Sequence, residues 1–227
     1  MASRVVSELL AVVVPPACVA CRAPLARADV RLCSGCTRAL PWLPARVCHR
    51  CGLPLHRRGC PAAGAAFARC WAPLAYDGVA RELVGALKFR GALPVAALMA
   101  AHIAANLPAD IRDHAVALVP VPPQAARHRR RGFDPAAELA AGLAARLGIG
   151  VSACLRRRDR QAPQVGATRA QRRRGGRLAI ELRAPPPRRA LLIDDVHTTG
   201  ATLDACARAL RAGGCEEVVA VTYARTL

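Results

Sequence analysis

Leu191-Leu192-Ile193-Asp194-Asp195-Val196-His197-Thr198-Thr199-Gly200-Ala201-Thr202 is the stretch on which the reading of this chain turns. An apolar run that suits a buried strand ends in two carboxylates. A turn rich in threonine and glycine follows, and helix-forming residues begin directly after it. That order predicts a turn at the carboxyl end of a parallel strand, where open α/β sheets bind ligands. Backbone N–H groups around Thr199, Gly200, Ala201 and Thr202, with the helix N-terminus, can cradle a phosphate. The hydroxyls of Thr198, Thr199 and Thr202 add donors, and Gly200 lets the backbone approach closely. Asp194 and Asp195 would repel a phosphate, so they suit hydroxyl groups or a metal beside it. A ribose 5-phosphate has that pattern, with a phosphate at one end and a diol at the other. His197 reads as a surface histidine without a catalytic role.

The flanking sequence repeats the strand–helix alternation. Ala190 to Ile193 reads as a strand, Ala201 to Ala212 as a helix ended by Gly213-Gly214, and Val218 to Tyr223 as a final strand. Upstream, Leu83, Val84 and Leu87 suit the buried face of a helix ending at Gly91, and Ala92 to Asn106 reads as another helix. Ala115 to Val121 is a strand stopped by Pro122-Pro123. Asp134 is an N-cap with Pro135 at the first helical position, and that helix runs to Gly148. Such units imply an α/β domain, a parallel sheet flanked by helices. Arg156 to Arg177 is basic, with scattered Gly, Pro and Gln, and reads as a mobile loop.

The first third is different. Eight of the 11 cysteines lie within the first 70 residues, among Pro and Gly and with little helical periodicity. The chain therefore divides near Trp71, into a small Cys-rich module over residues 1–70 and the α/β domain over 71–227. Cys18-x-x-Cys21 and Cys33-x-x-Cys36 are two knuckles whose thiolates fit a closed, tetrahedral, structural zinc site. Cys48-x-x-Cys51 starts a second set. Cys60 is its next thiol, and Cys70, His49 or His56 is available to complete it. A module this small builds little hydrophobic core, so metal binding would supply its folding energy. Cys154, Cys206 and Cys215 read as small core residues.

Val5 to Val14 is apolar but only about half the length of a membrane span, and no cleavage site follows it. The expectation is a cytoplasmic protein without membrane insertion, its thiols reduced. The net charge is +19, from 34 Lys and Arg against 15 Asp and Glu, and Lys88 is the one lysine. An anionic partner follows from that excess. Its carriers are Arg127, Arg129, Arg130 and Arg131, then the Arg156–Arg177 segment, with Lys88 and Arg90 as further anion candidates. Aromatics are 3% of the residues, which argues against a base-stacking platform but not against phosphate contacts.

The Asp194–Thr202 string resembles the phosphoribosyl pyrophosphate signature of type I phosphoribosyltransferases. Leu87-Lys88-Phe89-Arg90-Gly91, Val119-Pro120-Val121-Pro122, Arg131-Gly132-Phe133, and Gln164 followed by Arg169 come in the order seen in ComF competence proteins, as does the Cys-rich start. The likeness covers essentially the whole chain. It departs at Asp134-Pro135, where that family more often has Asn-Gln, at Gly175, where Asn is common, and at Ala63, where Cys is usual. The resemblance implies that Asp194 and Asp195 bind the ribose hydroxyls and that Thr198, Thr199, Gly200, Ala201 and Thr202 form the 5-phosphate loop. It also implies Lys88 and Arg131 as substrate contacts, Mg²⁺ accompanying the ligand, and a link to natural transformation and its competence-machinery proteins. Three functions are consistent with it: transfer of phosphoribose to an acceptor, non-catalytic sensing of phosphoribosyl pyrophosphate, and binding of single-stranded DNA or other nucleic acid in DNA uptake.

Overall fold

The computed structural model describes residues 16–54, 56, 59–113, 115–158 and 179–227. Most of the Arg156–Arg177 segment, with Gln164, Arg169 and Gly175, lies outside the described residues.

In chain order the elements are α1 (Ser34–Arg38), β1 (Arg69–Trp71), β2 (Leu74–Ala75), α2 (Gly78–Arg90), α3 (Pro94–Asn106), α4 (Ala109–Arg112), β3 (Ala117–Pro120) and α5 (Ala125–Arg131). There follow α6 (Pro135–Leu147), β4 (Gly150–Val151), β5 (Leu155–Arg157), β6 (Ile180–Leu182), β7 (Arg189–His197), α7 (Ala201–Ala212) and β8 (Glu217–Arg225). The central sheet is parallel, in the order β1, β8, β7, β3, β4, with β2 also on β8. Strands β5 and β6 form a separate antiparallel pair, so the start of the basic segment is a strand and not part of a loop.

The expected helices form, and their caps explain their limits. Asp77 accepts from Gly78 N at the start of α2, which ends on left-handed Gly91. Asp134 accepts a 3.0 Å bond from Ala136 N at the start of α6, with Pro135 in the first turn and left-handed Gly148 at the end. In β3 and β7 residues alternate between two cores, the period of a strand covered on both faces. Leu118, Leu191, Ile193, Val219 and Val221 face α2, α3 and α6, while Val119, Leu192, Val218 and Ala220 face α7. Alanine and glycine let α3 and α6 approach: a Cβ on Gly142 would sit 3.1 Å from Ala100 Cβ.

The Cys-rich segment is stitched into both faces. Cys18, Leu32 and Leu40 join the core under α2 and α3, and Cys51, Phe67 and Cys70 join the core under α7. Ala75 N donates to Pro41 O, and Leu43 N to Pro73 O, which fixes the first knuckle pair beside β2. The segment's last residues, from Arg69, already form strand β1 on β8.

Strand β7 differs from expectation in a way that builds the site. It does not stop at the acid pair but runs through Asp194 and Asp195 to His197, because β8 pairs with it along its length, Asp194 opposite Thr222 and His197 opposite Arg225. Its other neighbour stops early. Strand β3 ends with Pro120 opposite Ile193, and Pro122-Pro123 turn the chain away. The carboxylates therefore stand beyond the end of β3, over the gap that this early stop leaves.

Candidate functional site

That gap is a cavity of about 310 Å³. Asp194 and Asp195 line it from β7, Thr198 and Thr202 from the turn and first turn of α7, Lys88 from α2, and Arg127 and Arg131 from α5. Phe133, Asp134 and Pro135 close the side at the start of α6. Residues as far apart in sequence as Lys88 and Thr202 thus surround one space.

Asp195 is buried, 5% exposed, and its Oδ1 is 2.7 Å from Lys88 Nζ. Asp194 Oδ1 accepts a 2.8 Å bond from the Asp195 N–H, which orients one carboxylate by the backbone of the other. Burial raises the Asp194 carboxyl well above its usual range, and the neighbouring Asp195 charge adds to this. Burial also raises the Asp134 carboxyl. Arg131 stacks its guanidinium 5.3 Å from the centre of the Phe89 ring, and its Nε is buried without a hydrogen-bond partner among the described residues. Acidic and basic side chains thus meet around one cavity. Such an arrangement suits a ligand with hydroxyls at one point and a multiply charged anion at another.

The five turn residues do not share one space. Thr198 and Thr202 face the cavity with the acid pair, whereas Thr199, Gly200 and Ala201 line a second cavity on the other side of the turn. Gly200 has φ +77°, and a Cβ there would lie 2.7 Å from His197 Nε2, so both conformation and space require glycine. Arg90 is not free for an anion. It donates to Val19 O and Glu82 O and pairs with the Glu82 carboxylate, tying the first knuckle pair to α2. Arg157, Gln124 and His128 also border the acid-pair cavity. Arg157 belongs to the basic segment already marked for anions, whereas nothing in the local sequence marks Gln124 and His128, whose placement depends on where α5 packs.

His197 corrects the sequence reading. It is 3% exposed, not a surface residue, and its Nδ1 is 2.8 Å from Cys70 Sγ. Burial, and then the nearby Arg225 charge, lower its pKa to about 4. The Cys70 thiol is pushed up to about 12 by burial.

The thiol clusters divide cleanly in sequence order, without crossing between knuckle sets. The Sγ atoms of Cys18, Cys21, Cys33 and Cys36 lie within 4.8 Å of one another, with Cys21 and Cys33 at 3.7 Å. Tetrahedral Zn–S bonds of about 2.3 Å require S–S edges of about 3.8 Å. The second cluster is Cys48, Cys51, His56 and Cys60, with the Cys48 and Cys60 sulfurs 3.9 Å apart. Cys70 is thus not its fourth member. Strand pairing in β1 turns Cys70 into the core toward His197, and His56 takes the place instead. The hydrogen bond with His56 lowers the Cys48 thiol to about 6, against the effect of burial. Arg50 closes this loop by donating to the carbonyls of Ala63, Ala65 and Ala68. Both donor sets suit structural Zn²⁺.

Residues 9–72 match the model of the double zinc ribbon domain, and residues 91–226 that of the phosphoribosyl transferase domain. The chain belongs to the ComF family of phosphoribosyl transferase domain proteins. Among its relatives is a protein named DNA utilization protein YhgH in Salmonella typhi, 31% identical over 94% of this chain and 99% of the relative. The same name and figures hold for Salmonella typhimurium. Competence protein F of Haemophilus influenzae is 28% identical over 88% of this chain and 93% of its own. The crystal structure of orotate phosphoribosyltransferase from Aeropyrum pernix is a distant likeness, at 20% identity and a TM-score of 0.34 over 62% of each chain. Among the described residues of this ComF-family chain, no helix is long and apolar enough to cross a membrane.

Proposed function

We propose that the protein binds phosphoribosyl pyrophosphate in the acid-pair cavity and transfers its phosphoribosyl group to an acceptor. The observation that carries this reading is the gathering of Asp194, Asp195, Lys88, Arg127 and Arg131 around one cavity, with Thr198 and Thr202 at the helix start. The acid pair would hold the ribose hydroxyls, the turn the 5-phosphate, and the basic groups the pyrophosphate. Pyrophosphate would leave from C1 as positive charge grows on the ring, so catalysis would come from positioning and charge stabilisation rather than a protein nucleophile.

The donor set also fits Mg²⁺. Asp195 has one oxygen engaged by Lys88 and Asp194 has one engaged by the Asp195 N–H, so the pair offers few free oxygens. Mg²⁺ needs few from the protein, because substrate oxygens and water complete its shell. When bound it would neutralise charge on the pyrophosphate. Calorimetry with phosphoribosyl pyrophosphate, with and without Mg²⁺, tests the reading. Mg²⁺-dependent binding supports it, and no binding in either condition rejects it. Release of pyrophosphate in the presence of candidate bases separates transfer from sensing.

A second reading is favoured by the exposed face of α5. Arg127, Arg129 and Arg130 are exposed there and form no salt bridge with another described residue. We infer that this face contacts a nucleic-acid backbone, in keeping with the names of the relatives and the +19 charge. Arg127 also lines the acid-pair cavity, so ligand and nucleic acid would compete for it, and the role would put the protein in DNA uptake or use within the cytoplasm.

A further inference from the structure

The second cavity, of about 220 Å³, lies between the second Cys cluster and the far side of the Thr198–Thr202 turn. Cys51, Gly64 and Phe67 border it on one side, and Thr199, Gly200 and Ala201 on the other. Arg225, the last residue of β8, lines it. This guanidinium is 4% exposed, and its Nε and Nη1 are buried with no hydrogen-bond partner among the described residues. A buried cation with two idle donors is costly unless something anionic meets it.

Among the described residues, no side chain meets that need by a hydrogen bond to Nε or Nη1. Asp204 is the one carboxylate among the described residues that line the cavity, and both its oxygens are taken: Oδ1 accepts from Ala66 N at 2.7 Å and Oδ2 from Arg208 Nε at 2.9 Å. No cysteine sulfur accepts from Arg225 Nε or Nη1, so the thiolates of the second cluster are not their direct partners. His197 is uncharged at neutral pH and pairs with Cys70 through Nδ1. The N-terminus of α7, whose cap Gly200 and first residue Ala201 line the wall, adds to its positive character.

We propose that this cavity is a second anion site that takes a small oxyanion, inorganic phosphate, with the Arg225 guanidinium as its principal ligand. A planar guanidinium presents paired donors that match a phosphate edge. The space is below the ~300 Å³ at which sites for larger organic ligands begin, which selects phosphate over a nucleotide. The site is separate from the acid-pair cavity, which shares none of its lining residues. Its occupant would bridge the second Cys cluster to the turn.

Crystals of the zinc-loaded full chain soaked in tungstate, whose anomalous signal marks a tetrahedral oxyanion, test the proposal. A peak beside Arg225 is expected, whether or not another appears at Thr198 and Thr202. Absence of a peak at Arg225 overturns the proposal. Calorimetric titration with inorganic phosphate supplies the affinity. Arg225→Met should weaken this site at least tenfold and Arg225→Lys less, with zinc content unchanged. Undiminished phosphate binding at the same stoichiometry in folded Arg225→Met also overturns it. If that variant does not fold, the wild-type soak decides alone. Failure of phosphoribosyl pyrophosphate to bind would reject the proposed function and leave this result standing.

Discussion

Lys88 Nζ, from the last turn of α2, lies 2.7 Å from Asp195 Oδ1 in β7, so the lysine and the carboxylate proposed to meet the ligand hold each other. Asp195 is buried and Lys88 is only partly exposed, so the contact is better shielded than a surface ion pair. On the proposed function, a diol arriving at Asp195 would displace or share this lysine. The freed ammonium would then be beside the leaving pyrophosphate.

The first prediction concerns that contact. Asp195→Asn and Thr202→Val should each weaken phosphoribosyl pyrophosphate binding about ten- to hundredfold, the loss of a charge-assisted hydrogen bond of about 1.5–3 kcal/mol. Thr199→Ala, at a residue that lines the other cavity, should cost less. Calorimetry in Mg²⁺ checks the order, and equal losses at Thr199 and Thr202 would contradict the division of the turn.

Asp194 should trade stability for binding. Its carboxyl is raised by burial and by Asp195, so the folded state retains a proton that the unfolded chain has lost. Stability therefore falls as pH rises above the ordinary carboxylate value of about 4. Asp194→Asn keeps an oxygen for the Asp195 N–H and removes that penalty. Its thermal midpoint should exceed wild type at about pH 7.5, with the gain vanishing below about pH 4, while ligand binding drops. Calorimetric melts across pH check this.

Zinc content should follow the clusters and not the thiol count. Elemental analysis of reduced protein should find about two zinc ions per chain. His56→Ala should leave about one tightly held, and Cys70→Ala should leave both. Chelation should lower the melting point of the whole chain, because Cys18 and Leu32 belong to one core and Cys51 and Phe67 to the other.

Nucleic-acid affinity should be salt-dependent and indifferent to sequence, as expected of arginine contacts to phosphates. Changing Arg127, Arg129 and Arg130 to Ala should reduce the slope of log K against log salt by about 2 to 3, at about 0.7–0.9 per phosphate. Fluorescence anisotropy with labelled DNA measures it. An unchanged slope would remove α5 from the contact.

Local sequence determined much of this protein by itself. The strand–turn–helix signal at Leu191–Thr202, the Asp134-Pro135 helix start, the Gly91 and Gly148 stops and the knuckle spacing are short-range patterns. Each is set by backbone conformation, capping or thiol geometry within a few residues, and each appears in the structure. Tertiary structure decided the rest. The length of β7 depends on β8 continuing beside it while β3 stops at Pro120, which no window around Asp194 contains. The choice of His56 over Cys70 depends on β1 joining the sheet and carrying Cys70 inward to His197. The burial of His197 and Arg225 has the same origin, since the second Cys cluster folds over the end of β7 and β8 and covers polar residues that their own neighbours in sequence would leave in water.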